Sequence, residues 1–160
     1  LQPWHIPGIE AALEDDRSGV KAQALEQLAR YQSQDISHLV KQETVQKIAS
    51  LLKDEKQNSD VRGSAALALG NFGDAAKSYI PDILNFIKDE RQDSNVRGDA
   101  AAALGKFGDA AKSTIPDILN LLKDEQQDSF VRDSAAEALG NFGELGAGSH
   151  RNPHHLAMAV

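Results

Sequence analysis

The sequence predicts an all-α protein built as a stack of helix pairs, with about 35 residues in each repeat. Residues 96–130 match residues 61–95 at 27 of 35 positions. The Val-Arg pair that opens both segments recurs at Val131 and Arg132, so the spacing of 35 residues holds over three starts. Self-similarity of this kind is typical of repeat architectures, in which each unit buries its apolar face only against its neighbours.

The first helix of each repeat begins near the Val-Arg pair. Its apolar positions in the repeat 61–95 are Val61, Ala65, Ala68, Leu69 and Phe72. They form one stripe with the period of an α-helix, and the stripe is rich in alanine, so neighbouring backbones can approach closely. A short polar residue three positions before each valine is placed to cap the helix, namely Asn58, Asp93 and Asp128. We expect a glycine in the left-handed conformation to end each helix, at Gly70, Gly105 and Gly140.

A second helix follows a short turn in each repeat. It opens with an Ile-Pro pair, and proline is tolerated there because the N–H groups of a first turn have no helical partner. Its apolar stripe is Ile80, Ile83, Leu84 and Ile87, and in the next repeat Ile115, Ile118, Leu119 and Leu122. Each repeat therefore adds two amphipathic helices to one extended core.

The repeated pattern VRxxAAxALGxFGDAAKSxIPDILNxxKDE resembles the HEAT repeat, and in particular the short HEAT-like repeats named after phycobilisome lyases. The resemblance covers about residues 6–143, and turn glycines, proline, Val-Arg and Lys-Asp all recur in register. It implies a right-handed α-solenoid whose first helices form the convex side and whose second helices form the concave side. It does not imply one function, because fold and activity are separable.

The chain divides into repeats of unequal regularity within one expected domain. The segments are a partial repeat at 6–19, an irregular repeat at 20–60, regular repeats at 61–95 and 96–130, and a degenerate repeat with a tail at 131–160. The partial repeat starts with Ile-Pro-x-Ile, so the sequence enters midway through a repeat. Trp4 is expected to cover the exposed end of the stack, and the alternatives are added sequence or the remnant of a first helix.

Two segments depart from the pattern. The irregular repeat is six residues longer than the regular ones and lacks their Gly-Asp-Ala-Ala-Lys turn and their proline. Without the proline, we expect its second helix to run from Ile36 or His38 through Leu52, with a local change of curvature or a partner-specific edge. In the tail, Gly143, Gly146 and Gly148 predict a loose connection, followed either by a shortened helix after Pro153 or by added sequence.

Composition argues against several kinds of partner and site. A net charge of −7 and a pI near 5.1 disfavour nucleic acid, whose phosphates are bound by clustered Lys and Arg. The absence of cysteine removes disulfides, thiolate metal sites and a cysteine nucleophile. No run approaches the roughly 20 apolar residues that span a bilayer. We therefore expect a soluble, cytoplasmic protein with no membrane or nucleic-acid partner.

No motif predicts a catalytic, metal or cofactor site. His150, His154 and His155 are the one histidine cluster, and two imidazoles four residues apart can chelate zinc on a shared helix face. Pro153 interrupts the cluster and no third ligand stands nearby, so solvated side chains are the better interpretation. One class of HEAT-repeat hydroxylases carries paired His-Glu motifs, and this sequence contains no His-Glu dipeptide. We expect a protein that is not an enzyme and that uses no cofactor.

A row of arginines has two interpretations. Arg62, Arg97 and Arg132 each follow an aspartate by eight residues, and these aspartates are Asp54, Asp89 and Asp124. The arginines could bind an anion. The family resemblance instead implies a ladder of Asp-Arg contacts that joins successive repeats, and the forked geometry of guanidinium and carboxylate suits that role. We favour the structural ladder.

The second helices offer the candidate binding surface. Asp82, Asn85 and Asp89 form a polar stripe roughly opposite the core positions, and the next repeat has Asp117, Asn120 and Asp124 in the same places. Tyr79 and Phe86 border the stripe, and their equivalents Thr114 and Leu121 are not aromatic. A repeat-specific aromatic beside a groove is typical of a binding hot spot, although packing between repeats explains Phe86 equally well.

The sequence therefore predicts a protein–protein interaction scaffold that binds a basic or mixed polar-apolar segment of a partner protein. The aspartates at the helix ends are assigned to the ladder, so the predicted contact residues are Asp82, Asn85, Phe86, Asp117, Asn120 and Tyr79. Two alternatives stay open at this point. One is a subunit of a phycobilin lyase or a related chromophore-handling complex, and the other is a structural spacer within a larger repeat protein.

Overall fold

The computed structural model describes residues 5–30 and 39–148, with side chains as far as residue 143. Within these ranges it contains α-helices and short 3-10 helices and no strand. The α-helices are α1 (Ile6–Ala12), α2 (Ser18–Arg30), α3 (Gln42–Lys53), α4 (Ser59–Asn71), α5 (Ile80–Lys88), α6 (Ser94–Lys106), α7 (Ile115–Lys123) and α8 (Ser129–Gly148). Two 3-10 helices, Gly73–Tyr79 and Gly108–Thr114, precede α5 and α7. The prediction of an all-α solenoid of helix pairs is confirmed.

The helices form two layers. The first helices α2, α4, α6 and α8 pack one against the next, and each second helix packs on the first helix that follows it in the chain. The apolar stripes predicted for both kinds of helix face the space between the layers, where Leu69, Ile83 and Leu104 are fully buried. Because this core continues from repeat to repeat, each helix pair is stabilised mainly by its neighbours.

The first helices approach one another closely because each presents glycine to the next. A Cβ added to Gly63 would lie 2.7 Å from the Cβ of Val96, and one added to Gly70 would lie 2.8 Å from the carbonyl oxygen of Ala103. Both distances are well inside the optimal separation of about 3.5 to 4.0 Å between nonbonded carbon atoms. Only glycine fits at these positions while the two helices keep this spacing.

The predicted role of the same glycines in ending the helix is wrong. Helix α4 continues through Gly70 to Asn71, and α6 continues through Gly105 to Lys106. The residues with positive φ are Gly73 (φ +52) and Gly108 (φ +57), which open the 3-10 helices. Gly140 lies within α8, which runs on to Gly148, so the loose connection expected at the glycines of the tail is also wrong.

The predicted N-caps are confirmed. The side chain of Asn58 accepts the N–H of Val61 at 2.9 Å, and that of Asp93 accepts the N–H of Asn95 at 2.8 Å. Asp128 accepts the N–H of Phe130 in the same way. Each cap satisfies a donor that the first turn of the helix leaves without a helical partner.

The second helix of the irregular repeat is shorter than predicted. It begins at Gln42 and ends at Lys53, because Val40 is buried and the chain is extended at Lys41, whose carbonyl oxygen accepts the first helical N–H groups. The other predictions for residues 31–38 lie outside the described residues. Trp4, the histidines of the tail and Pro153 lie outside them as well.

Candidate interaction surface on the second helices

The second helices place the predicted polar stripe at the surface. In α5, Ile83 and Ile87 are fully buried, whereas Asn85 is exposed and Asp82 is half-buried. Helix α7 repeats the arrangement, with Ile118 buried and Asn120 exposed. The alternation follows from the helical period, which puts residues one or two positions apart on different faces.

A groove of about 280 Å³ lies between α3 and α5 and is lined by part of this stripe. We call it the second-helix groove. Its lining residues are Leu52, Lys53, Glu55, Arg62, Asp82, Asn85, Phe86, Asp89 and Arg91. The structure therefore brings Asp82, Asn85 and Phe86 together, whereas Asp117 and Asn120 lie on the neighbouring helix and do not line the groove.

Phe86 belongs to the floor of the second-helix groove rather than to its exposed wall. Only 4% of its surface is exposed, and the guanidinium of Arg62 lies 4.8 Å from the centre of its ring. An arginine over an aromatic face is attracted by the ring quadrupole, most strongly where both groups are shielded from water. Phe86 is therefore a packed residue of the stack, held against Arg62 of its own repeat, rather than an exposed binding residue.

Tyr79 keeps part of its ring at the surface. It is half-buried, and the ammonium of Lys53 lies 5.8 Å from the ring centre. Its equivalent in the next repeat, Thr114, is buried and donates its hydroxyl to the carbonyl oxygen of Ala111 at 2.6 Å. The repeat-specific aromatic residue available to a ligand is thus Tyr79 and not Phe86.

The predicted acidic strip is neutralised at several positions. Asp117 forms an ion pair with Lys88 at 2.5 Å, and Asp89 forms an ion pair with Arg91 at 2.8 Å. Asp82, Asn85 and Asn120 form no side-chain hydrogen bond or ion pair with other described residues. These three side chains remain available to a partner.

The three aspartates of the predicted ladder brace the turns between repeats. Each accepts a backbone N–H two residues later and the side-chain amide of a glutamine three residues later, as Asp54 does from Lys56 and Gln57. Hydrogen bonds from the Gln57 side chain and the Lys56 backbone lower the pKa of Asp54, because they favour the charged carboxylate. The pKa of Asp89 lies well below its usual range, chiefly because the Arg91 side chain binds it.

The direct Asp-Arg pairs of the ladder are not formed, which corrects that prediction. Arg62, Arg97 and Arg132 each donate Nε to a carbonyl oxygen near the end of the preceding second helix, those of Leu52, Ile87 and Leu122. These carbonyl groups lie in the last helical turn, where no helical N–H follows to bind them. Arg132 is close enough to Asp124 to lower its pKa slightly, but the two share no hydrogen bond.

A link between repeats does exist, and it passes through glutamine. Arg97 donates its terminal nitrogen to Gln127 Oε1 at 2.9 Å, and Gln127 in turn donates to Asp124 at 3.0 Å. Lys21, which takes the place of the arginine in the irregular repeat, donates to Gln57 at 3.4 Å in the same way. Lys21 and Arg97 are therefore each tied to the aspartate of a following turn through an intervening glutamine, whereas Arg62 forms no such bond to Gln92. The repeated glutamine four residues before the valine was the sequence signal for this link.

The described residues offer little for metal binding or membrane insertion. Among them, no group of three or more His, Asp or Glu side chains could hold a metal ion. None of the described helices combines the length and the apolar character needed to cross a bilayer.

Comparison with known proteins identifies the repeat. The family model for HEAT repeats matches residues 6–90 and 80–150, which together span most of the chain. No curated protein matches the sequence.

Proposed function

Because the chain belongs to the HEAT-repeat family, whose repeats typically mediate protein–protein interaction, we propose that it is a non-enzymatic scaffold that binds a protein partner. The proposed site is the second-helix groove together with the neighbouring exposed surface of α7. The observation that carries the proposal is a set of unpaired polar side chains: Asp82 and Asn85 line a groove whose floor is closed by Phe86 and Arg62, and Asn120 is exposed on the neighbouring helix α7.

The chemistry of this surface favours a basic or mixed polar-apolar segment. The Asp82 carboxylate has no cationic neighbour within ion-pair distance, so a lysine or arginine of the partner would supply one. Tyr79 offers part of an aromatic ring to an apolar side chain. Asp117 contributes less to this attraction than its position alone suggests, because Lys88 already neutralises it. Affinity should weaken as salt rises, since salt screens exposed charges.

The experiment is affinity capture from the source cells with the intact chain as bait. A triple variant, Asp82→Lys, Asn85→Ala and Asn120→Ala, changes the proposed contacts and leaves the ion pair of Asp117 in place. Asp74→Lys is the matched control, because Asp74 is an exposed carboxylate in the 3-10 helix away from the groove. We expect the triple variant to lose the partner and the control to retain it, with both keeping the wild-type melting temperature.

Other outcomes identify the alternative roles. Recovery of the same partner by the triple variant would remove this surface from the binding site. Co-purification of a bilin would favour a chromophore-lyase subunit of the kind for which the short repeats are named. Partner recovery that no surface substitution affects would favour a spacer.

A further inference from the structure

A groove of about 530 Å³ lies between α1 and α2 at one end of the described stack. We call it the N-terminal groove. It shares no lining residue with the second-helix groove. Its lining includes Gly8, Ile9 and Ala12 of α1 and Val20, Gln23 and Gln27 of α2. The groove is therefore formed by one second helix and one first helix, like the core between the two layers.

Residues of this lining hold positions that belong to the core in the other repeats. Ile9 of α1 is equivalent to Ile83 of α5, which is fully buried, yet Ile9 is only half-buried. Val20 of α2 is equivalent to Val96 of α6, which is buried, and Val20 is also only half-buried. The difference arises because no first helix of the described chain precedes α2.

In the other repeats, the preceding first helix covers the equivalent surface. Val96 of α6 lies against Gly63 of α4, and Ala103 of α6 lies against Gly70 of α4. Gln27 of α2 is equivalent to Ala103. The N-terminal groove is therefore the place where a further first helix would pack, in continuation of the contacts that join α2, α4, α6 and α8.

Helix α8, at the other end of the described stack, presents a face that matches this place. Its Ala136 is exposed, although the equivalent Ala101 of α6 is fully buried. Its Gly140 lies on the same face and is equivalent to Gly105, which touches Ala138 of the next first helix, yet a Cβ added to Gly140 would meet no atom within 4 Å. The face that α6 turns toward the next first helix is therefore uncovered in α8.

We propose that α8 of one copy of the chain packs into the N-terminal groove of a second copy, so that the chain associates head to tail. The junction would continue the stack of first helices from one molecule to the next. Such a contact joins two different faces and is heterologous, so each dimer keeps one N-terminal groove and one α8 face for further copies. The proposal is independent of the second-helix groove.

One pair of polar residues across this junction is complementary. Between α6 and α8, a Cβ added to Gly98 would lie 2.9 Å from the hydroxyl oxygen of Ser134. Asp133 of α8 and Gln23 of α2 hold these two positions at the junction, and both are exposed in the single copy. The side-chain amide of Gln23 would therefore donate a hydrogen bond to the Asp133 carboxylate.

A second pair is complementary in size. Gly105 of α6 lies against Ala138 of α8, and at the junction Gly140 would lie opposite Gln27, which is longer than that alanine. Gly143 follows Gly140 by three residues on the same face, and a Cβ added there would also meet no atom within 4 Å. The two open glycines of α8 leave room for the longer side chain.

The test is sedimentation equilibrium of the intact chain and of three variants that each add one lysine. Gly8→Lys obstructs the N-terminal groove, and Gly140→Lys obstructs the α8 face. Both should fold, because a Cβ at either glycine meets no atom within 4 Å in the single copy. Ala11→Lys is the control, since Ala11 is exposed on α1 and does not line the groove. Thermal melts establish that each variant is folded.

The wild type should associate as its concentration rises from about 1 μM to about 1 mM, the range that separates moderate from weak contacts. Gly8→Lys and Gly140→Lys should each associate at least about tenfold more weakly, because the new ammonium group would be buried without a partner. Ala11→Lys should change the association by less than about twofold. Association should strengthen as salt rises, since each copy carries a net charge of −7. Binding at the second-helix groove is expected to show the opposite salt dependence.

An equimolar mixture of Gly8→Lys and Gly140→Lys distinguishes a head-to-tail contact from other kinds of association. The mixture retains one intact N-terminal groove and one intact α8 face, so it should form a dimer and nothing larger. A wild type that stays monomeric up to about 1 mM would overturn the proposal. So would association that the two glycine variants leave unchanged, equal loss of association in Ala11→Lys, or a mixture that forms no dimer.

Discussion

The buried arginines show how one side chain can hold two repeats in register. Arg97 is 5% exposed. It binds the Ile87 carbonyl oxygen at the end of α5 and the Gln127 side chain in the turn that follows α7, so it connects two successive second helices. Buried guanidinium groups are costly unless their donors are bound, and here a carbonyl and an amide oxygen bind them. The arginine row is therefore structural, although its partners differ from those expected of a ladder of ion pairs.

A double-mutant cycle tests these partners. Arg97→Ala should lower the free energy of unfolding by about 1 to 3 kcal/mol, because it leaves the Ile87 carbonyl without its donor. Combining it with Gln127→Ala should give less than the sum of the two losses, as for residues in contact, whereas combining it with Asp89→Ala should be additive. Urea unfolding of the wild type, the three single variants and the two double variants gives both coupling energies. Additivity with Gln127→Ala and coupling with Asp89→Ala would instead support the direct Asp-Arg pair.

The turn aspartates make stability depend on pH. Hydrogen bonds lower the folded-state pKa of Asp54, Asp89 and Asp124 below the value of about 3.9 that aspartate has in an unfolded chain. Their contribution to stability is therefore complete above about pH 4 and is lost as the pH falls through the folded-state pKa. Asp89→Asn should flatten this acid limb in urea midpoints measured against pH, and Asp74→Asn should leave it unchanged. Identical limbs in all three proteins would show that the turns do not contribute.

At the scale of the helix, a glycine can either end the helix or allow a neighbouring helix to pack closely, and the sequence alone does not distinguish the two roles. Gly70 and Gly73 are three residues apart, and either could end α4 by local rules. The helix runs through Gly70 because that residue touches Ala103 of the next repeat, and it ends before Gly73. Capping residues predicted where α4, α6 and α8 begin, since a cap depends on nearby residues, whereas the start of α3 was predicted too early. Contacts with the neighbouring repeat decided where they end.

Two alanine substitutions at equivalent positions should have opposite effects. Gly70→Ala would place its Cβ against the Ala103 backbone, and overpacking of this kind costs about 1 to 3 kcal/mol. Gly140→Ala meets no atom within 4 Å and should stabilise α8 by up to about 1 kcal/mol, the difference in helix propensity between the two residues. Thermal or urea unfolding measures whether each substitution raises or lowers the free energy of unfolding. Stabilisation by both substitutions would mean that α4 and α6 are further apart than described.

At the scale of the whole molecule, sequence reasoning was accurate for the core of the first helices and partly accurate for the second helices, where Leu84, Leu119 and Leu122 are half-buried and Phe86 and Leu121 are buried. The buried stripes followed from spacing alone, because burial repeats with the helical period. The contacts at the surface did not follow from spacing. Phe86 is buried beneath Arg62, and Asp117 is paired with Lys88 of the preceding repeat.

The claim that repeats stabilise one another is tested most directly by one matched pair of core substitutions. Leu104 in α6 and Leu28 in α2 occupy the same position in their repeats and are both fully buried. Helix α6 packs against α4, α5 and α8, whereas the described neighbours of α2 are α1 and α4. Large-to-small core changes cost about 2 to 5 kcal/mol where the structure around them stays folded. Thermal unfolding followed by circular dichroism should therefore show a larger loss for Leu104→Ala than for Leu28→Ala, because an end repeat can unravel alone. Equal losses would contradict the nearest-neighbour stack and indicate a single globular core.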